Sequence, residues 1–308
     1  MLENIRLAFQ GVWSHKLRSV LTMLGIIIGI AAIITIVSTI KGTNDQIKQN
    51  LIGAGNNAVV VSLYQNDYVY DLQYGGNPDG VSVISPDTLD ELKELPHVVT
   101  ASLFYKRDYN DIVYYKNTQF SGALLGIDDN YFDVYGYQVC YGRPFLPEDQ
   151  QTGRKVAILD ARAATSLFSG ANPLGETLEI KGEPFVIVGV AAQTSSFTPA
   201  IESLSDYYTY ADTSSGKVFL PGSTWPIVSR FDEPQAVALQ ADSTDNMTSV
   251  GKKAADLLTE RQITGQETNF SYRSEDLLER AQQLQSMSAA TNRQLIWIAS
   301  ISLLVGGI

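Results

Sequence analysis

Residues 170–177, Gly-Ala-Asn-Pro-Leu-Gly-Glu-Thr, carry the glycine spacing of a phosphate-binding loop, with Glu176 where that loop needs lysine. The lysine attracts phosphate and a carboxylate repels it, so Asn172-Pro173 reads better as a turn before a strand. Gly53-Ala54-Gly55-Asn56-Asn57-Ala58 imitates a dinucleotide fingerprint. It follows a helical pattern and precedes a strand, the reverse of the order that aims a helix N-terminus at pyrophosphate, and so marks a helix stop.

Metal and nucleophile chemistry find no better footing. Neither His15 nor His97 has a carboxylate or histidine at i+3 or i+4, and Asp128-Asp129-Asn130 lacks the glycine and terminal glutamate of a calcium loop. Cys140 is the only cysteine, which excludes an intramolecular disulfide and a multi-cysteine zinc site. No serine sits in a G-x-S-x-G elbow. The expectation is a chain with no catalytic, cofactor-binding or metal residues of its own, although a triad dispersed along the sequence leaves no local motif.

Charge narrows the partners. Of 22 Lys+Arg and 33 Asp+Glu, only Arg6, Lys16, Arg18 and Glu3 precede residue 19, leaving 19 basic against 32 acidic side chains, net −13. Such a domain lacks the clustered cations that phosphate backbones require, so nucleic acid is not an expected partner. Docking on anionic lipid headgroups is equally poorly served.

The strongest pattern is the uncharged run 19–40, bracketed by Arg18 and Lys41. About 20 apolar residues cross roughly 30 Å of hydrocarbon, so this run predicts a first transmembrane helix in contact with membrane lipid. It is too long for a signal-peptide core, and Ser38-Thr39-Ile40-Lys41 offers no small-residue cleavage site. Gly25, Gly29 and Ala32 put small residues on one face, a candidate packing seam. In residues 1–18, Leu2, Ile5, Phe9, Val12 and Trp13 form an amphipathic pattern that fits an interfacial helix or one packed on a cytoplasmic partner.

A second apolar run, 294–308, is shorter than a full crossing at about 1.5 Å per residue, which predicts a transmembrane helix continuing beyond Ile308. Arg6, Lys16 and Arg18 against Lys41 and Lys48 favour a cytoplasmic N-terminus, placing the intervening domain outside the cytoplasm. Helical spacing extends from both runs toward that domain, through 41–56 and 274–293, where Ser274 suits an N-cap before Glu275 and Asp276. These predict two antiparallel stalk helices. Equal rise along each sets Ile47 level with about Met287 and Leu51 with about Leu284, in a seam that also holds Leu277.

Between the stalks the pattern alternates. Strands are expected at 58–64, 98–104, 112–115, 119–126, 156–159, 218–220 and 236–241, and a hairpin joins 177–180 to 184–190 through Lys181-Gly182. Helices are expected at 85–95, opened by Ser85-Pro86, and at 130–135, 161–168 and 247–261. The fold class is α+β (mixed α/β) with a mixed sheet. Two tyrosine-bearing stretches, 65–80 and 195–216, read as long loops, either contact surfaces or solvated segments.

Residues 17–32, from Leu17-Arg18-Ser19 through Gly25, Gly29 and Ala31-Ala32, resemble the first membrane helix of MacB-type (MacB/FtsX-like) ABC transporter permeases. Gly126-Ile127-Asp128 through Gly142-Arg143-Pro144-Phe145 resemble that family's outer-domain core. Residues 172–177 with 185–190 resemble its following hairpin, and 301–308 the start of its second membrane helix. The resemblance implies a permease half working as a homodimer or with a related permease, its extracytoplasmic domain carried between membrane helices in the cell membrane. It implies a first lobe from 57–142 and 230–273, with a second lobe, 143–229, inserted. It also implies a separate ABC ATPase subunit that holds ATP and Mg, and a possible membrane-fusion adaptor protein. The function implied is export of a peptide, antibiotic or lipid-linked substrate by mechanotransmission; the alternative is an FtsX-type module signalling to an extracellular cell-wall hydrolase. A membrane-tethered enzyme is a third reading, for which the sequence supplies no motif.

Overall fold

The computed structural model describes individual positions between residues 16 and 42, then 57–108, 111–194, 215–264 and 269–274. The chain forms two compact units, Met1–Leu51 with Glu279–Ile308, and Ile52–Leu278. In the first, every described position from Lys16 to Gly42 is helical. Its apolar side chains stand out: Leu17, Val20, Ile27 and Ile34 are each 60% exposed or more, apolar surface that water would not favour.

The second unit opens with β1 (Ala58–Gln65), whose Val59, Val61 and Leu63 are buried while their neighbours are less so, the period of a strand. A turn with Asn66 at φ 56° leads into β2 (Tyr68–Val69), and α1 (Leu72–Gly75) follows, capped by Asp71 accepting from Gln73 N at 2.8 Å. The expected loop 65–80 therefore contains a short hairpin and a helical turn. In α2 (Pro86–Lys93) the Ser85 hydroxyl accepts from Thr88 N at 3.1 Å, as Ser-Pro predicts.

Next come β3 (Val98–Arg107), β4 (Val113–Tyr115), β5 (Thr118–Gln119) and β6 (Ala123–Ile127). The single strand expected at 119–126 is two, because Phe120 turns inward to 1% exposure and interrupts the alternation. Then follow α3 (Tyr131–Tyr135), β7 (Tyr137–Gly142), α4 (Pro147–Gln151), β8 (Val156–Asp160) and α5 (Ala161–Phe168). The hairpin of β9 (Thr177–Ile180) and β10 (Glu183–Gln193) turns at Lys181-Gly182, φ 54° and 81°, as predicted. The described chain resumes with β11 (Lys217–Pro221), α6 (Trp225–Val228), β12 (Ala236–Ala241), α7 (Met247–Gln262) and β13 (Phe270–Ser274). Sequence patterning does not disclose β7, α4, α6 or β13. They are short, and β7 and β13 bury few side chains.

One mixed sheet joins the strands in the order β13-β1-β12-β3-β6-β11-β8-β10-β9-β4-β5, with β2 paired to β1 and β7 to β10. The pairs β6–β11 and β8–β10 are parallel. Every residue of β6 and β8 is buried, as strands covered on both faces require. Alternation assigns the two faces to different cores: Leu124, Leu159 and Val218 pack with Trp225 and α5, whereas Leu125, Ile158 and Phe219 pack with Tyr131 and Val134 of α3. A third core lies under α2 and α7 and draws its buried residues from 59–101 and 237–272.

Candidate functional site

Two places in the second unit combine position with unusual chemistry. The first is where the chain enters and leaves. β1 and β13 are antiparallel neighbours, with Val61 opposite Ser274 and Gln65 opposite Phe270, so the start of β1 and the end of β13 lie side by side. α7 closes over them so tightly that a Cβ at Gly251 would come within 2.7 Å of Ser274 Cβ and 2.9 Å of Val59 Cγ1. Tyr272 N donates to Thr259 Oγ1 at 2.9 Å, tying β13 to the same helix, and burial pushes the Tyr272 phenol well up.

The second is a cavity of about 200 Å³ beside Trp225. β3 ends there, and Arg107 on its last turn of backbone is 10% exposed against Glu233 at 1%. Arg107 Nη2 donates to Glu233 Oε2 at 2.6 Å and to Ser229 Oγ at 2.8 Å, while Ser229 Oγ donates to the same carboxylate oxygen at 2.9 Å. The guanidinium carbon stands 5.2 Å from the Trp225 ring centroid, and Tyr105 stacks on that ring at 5.2 Å and 8°. Burial, then the Glu233 charge, push the Tyr105 phenol up to about 12. Gly126 makes this packing possible, since a Cβ there would lie 2.8 Å from Trp225. Among the described residues, Trp225 Nε1 and Glu233 Oε1 are buried without a hydrogen-bond partner.

The motif-bearing segments take structural places. Residues 170–176 lead out of α5 into β9, the reverse of the strand-to-helix order of a phosphate-binding loop; Asn172 Oδ1 accepts from Leu174 N, and Tyr115 Oη donates to Glu176 Oε2 at 3.0 Å. Asp128 accepts from Ser102 Oγ at 2.6 Å, Leu103 N at 2.8 Å and Asn130 N at 3.0 Å; burial outweighs these bonds and raises its pKa. His97, at φ 71°, sets Nδ1 2.8 Å from Asp242 Oδ2. Asp242 is held below the usual carboxylate range by its bonds to Asn246 and then His97. Among the described residues no group of three or more His, Cys, Asp or Glu is placed to hold a metal.

The sequence-derived seam residues Gly25, Gly29, Ala32, Ile47, Leu51, Leu277, Leu284 and Met287 lie outside the described residues. Among the described residues no helix is long and apolar enough to cross a membrane. Sequence reasoning missed Arg107, Trp225 and Glu233: Arg107 lies more than a hundred residues from the other two, and none carries a local motif; only the Trp225-Pro226 pair marks a turn of chain.

Residues 19–257 match the family model of the MacB-like periplasmic core domain. The chain is 36% identical over 305 residues to the uncharacterized ABC transporter permease YvrN of Bacillus subtilis (strain 168), covering 98% of this chain and 72% of that protein. It is 31% identical over 312 residues to the permease YknZ of the same organism, again covering 72% of the relative. It is 29% identical to the macrolide export ATP-binding/permease protein MacB of Psychrobacter cryohalolentis, of which it spans 43%. The solved periplasmic region of MacB from Actinobacillus actinomycetemcomitans shares the fold, with a TM-score of 0.50 at 18% identity, over 77% of this chain and 97% of that one.

Proposed function

We propose that this chain, which belongs to the family of MacB-like periplasmic core domains of ABC transporter permeases, transmits movement driven by ATP hydrolysis to a domain outside the cytoplasm. The observation that carries the reading is the adjacency of β1 and β13: the two ends of the domain leave it side by side, through strands clamped by one helix. A displacement applied to the segments 41–56 and 274–293 would then reach the sheet through two neighbouring strands. Close-packed interiors transmit such strain because they deform little.

In this reading an ABC ATPase subunit below the membrane holds ATP and Mg. The permease works as a homodimer or with a related permease, and Gly25, Gly29 and Ala32 form the close-approach face of its first membrane helix. The exposed apolar side chains between Leu17 and Val37 support contact with lipid. The first lobe, 57–142 with 230–273, is supported by the core under α2 and α7; the second, 143–229, shares its core with Val113, Phe120 and Leu124. Relatives named as macrolide exporters favour export, of a peptide, antibiotic or lipid-linked substrate, with a membrane-fusion adaptor as a further partner.

Disulfide trapping tests the mechanical route. In membranes containing the ATPase, with Cys140 replaced by Ser, cysteines at Leu51 and Leu284 are expected to cross-link, which needs Cα atoms about 4.4–6.8 Å apart. The yield should change when nucleotide is added. Failure of this pair and of neighbours one turn away, while surface control pairs react, would overturn the paired stalk. Co-purification of a cell-wall hydrolase instead of an adaptor would replace export with a regulatory role.

A further inference from the structure

Of the two tyrosine-bearing stretches that the sequence marks, 65–80 is described, and it gathers with the loop before β12 into one face. Arg230 Nη1 donates to Leu72 O at 3.3 Å and Asn77 Nδ2 donates to Phe231 O at 2.8 Å, which clasps α1 and the residues after it to 230–231. Gly76, at φ 79°, allows that approach, since a Cβ there would lie 2.6 Å from Arg230 Nη1. The three most exposed large apolar side chains among the described residues of the second unit all lie on these segments: Tyr68 at 81%, Tyr74 at 80% and Phe231 at 73%, with Val69 beside the first. β1 runs from Ala58, where the chain enters the unit, to Gln65, so the face stands about 25 Å from that entry. Exposed apolar rings gathered from separate segments mark a contact surface.

We propose that this face binds a free peptide carrying lysine or arginine among apolar side chains. Residues 65–80 hold three aspartates and no lysine or arginine. Taken with 230–233, and with Arg273 paired to Asp67 and Arg107 paired to Glu233, the face has five carboxylates (Asp67, Asp71, Asp79, Asp232, Glu233) against three guanidinium groups, net −2. Lys106 is paired with Asp108, and Lys181 offsets Asp111 on the wall of the adjoining cavity, so neither changes that balance. A cationic side chain gains twice on such a face, from the carboxylates and from the tyrosine and phenylalanine rings, whose faces attract ammonium and guanidinium groups. The apolar side chains of the same peptide cover the rings that water now touches. A second copy of the chain is a poorer occupant, because two faces of net −2 repel, and anionic lipid headgroups are repelled in the same way. The proposal concerns the second unit alone and stands whether or not the stalk moves.

Calorimetric titration of the full chain in nonionic detergent with a synthetic peptide of three Lys-Phe-Gly-Ser repeats tests it. One comparator carries glutamate in place of each lysine, the other serine in place of each phenylalanine. Expected is saturable binding with a Kd on the order of 0.1 mM, and both comparators weaker by roughly tenfold. The variant Tyr74→Ser/Phe231→Ser should also lose roughly tenfold, and Asp79→Asn/Asp232→Asn about threefold. Tyr141→Ser/Val186→Ser, which removes exposed apolar surface elsewhere on the unit, should bind as the wild type does. All six substituted side chains are exposed, and circular dichroism melting of each variant verifies that it is folded. Binding that does not saturate, equal binding of the glutamate peptide, or full binding by the folded Tyr74→Ser/Phe231→Ser variant would each overturn the proposal. So would self-association that this variant abolishes in the absence of any peptide binding, an outcome that assigns the face to a second copy of the chain.

Discussion

Two regions of the second unit are built on different principles. Around β1, β13 and α7 the packing is apolar and close: Val59, Val61, Val250, Ala254 and Leu258 are at most 3% exposed, and Gly251 leaves no room for a side chain. The buried carboxylates of the described residues, Asp149, Asp160 and Glu233, all lie elsewhere, between β7 and β12. The first region holds by non-directional burial, which resists deformation; the second adds charged hydrogen bonds to an apolar core, and beside Trp225 they fix Arg107 against Glu233.

Breaking the charged region should have the largest effect. Glu233→Ala leaves the Arg107 guanidinium buried and unpaired, and is expected to cost about 3–5 kcal/mol in denaturant unfolding. Arg107→Leu combined with Glu233→Leu should recover most of that loss, because the desolvation cost goes with the pair. A double variant no more stable than the single would show that the pair contributes beyond its mutual charge. In the apolar region, Gly251→Leu drives a side chain into Ser274 and Val59, an overpacking of about 1–3 kcal/mol. Gly251→Ala should follow in the same direction with a smaller loss, and an unchanged melting temperature for the leucine variant would show that α7 can move away from β13.

Two smaller effects depend on pH. Burial pushes the Asp149 carboxyl up, but hydrogen bonds from Arg143 and Leu146 N and the charges of Arg143 and Arg154 outweigh it, so its pKa is lowered. A carboxyl with a lowered folded pKa stabilises above its unfolded value and loses that contribution as pH falls through the folded one. Asp149→Asn should therefore cost about 1 kcal/mol near neutrality, given that Arg143 is partly exposed, and the difference from wild type should begin to shrink only below about pH 4, as pH falls toward the lowered folded value. Tyr105 has the opposite sign: its contribution is complete below the ordinary phenol value of 10.0 and is lost as pH rises toward about 12. Alkaline unfolding followed with Tyr105→Phe should be shallower over that interval.

Local rules were sufficient wherever a segment satisfied its own chemistry. Ser85-Pro86 announced α2, Lys181-Gly182 announced a tight hairpin, and the alternation in 58–64 announced a half-buried strand. β7 and β13 were silent because each fully buries only one side chain, so their strand character comes from partners, β10 and β1, contributed by distant chain. Phe120 broke a predicted strand because its burial was settled by a core assembled from 113–228.

The amino-acid sequence by itself determined the apolar run 19–40, the acidic domain that follows it, the mixed α/β class and the family, because each is a property of composition, short-range period or ordered segments. Only the tertiary structure decided that the ends of the second unit leave through adjacent strands, and that Arg107 meets both Trp225 and Glu233. The physical reason is range. Periodicity and turn chemistry act over a few residues, whereas Arg107 and Glu233 are 126 residues apart, and strand pairing and desolvated charge set their meeting.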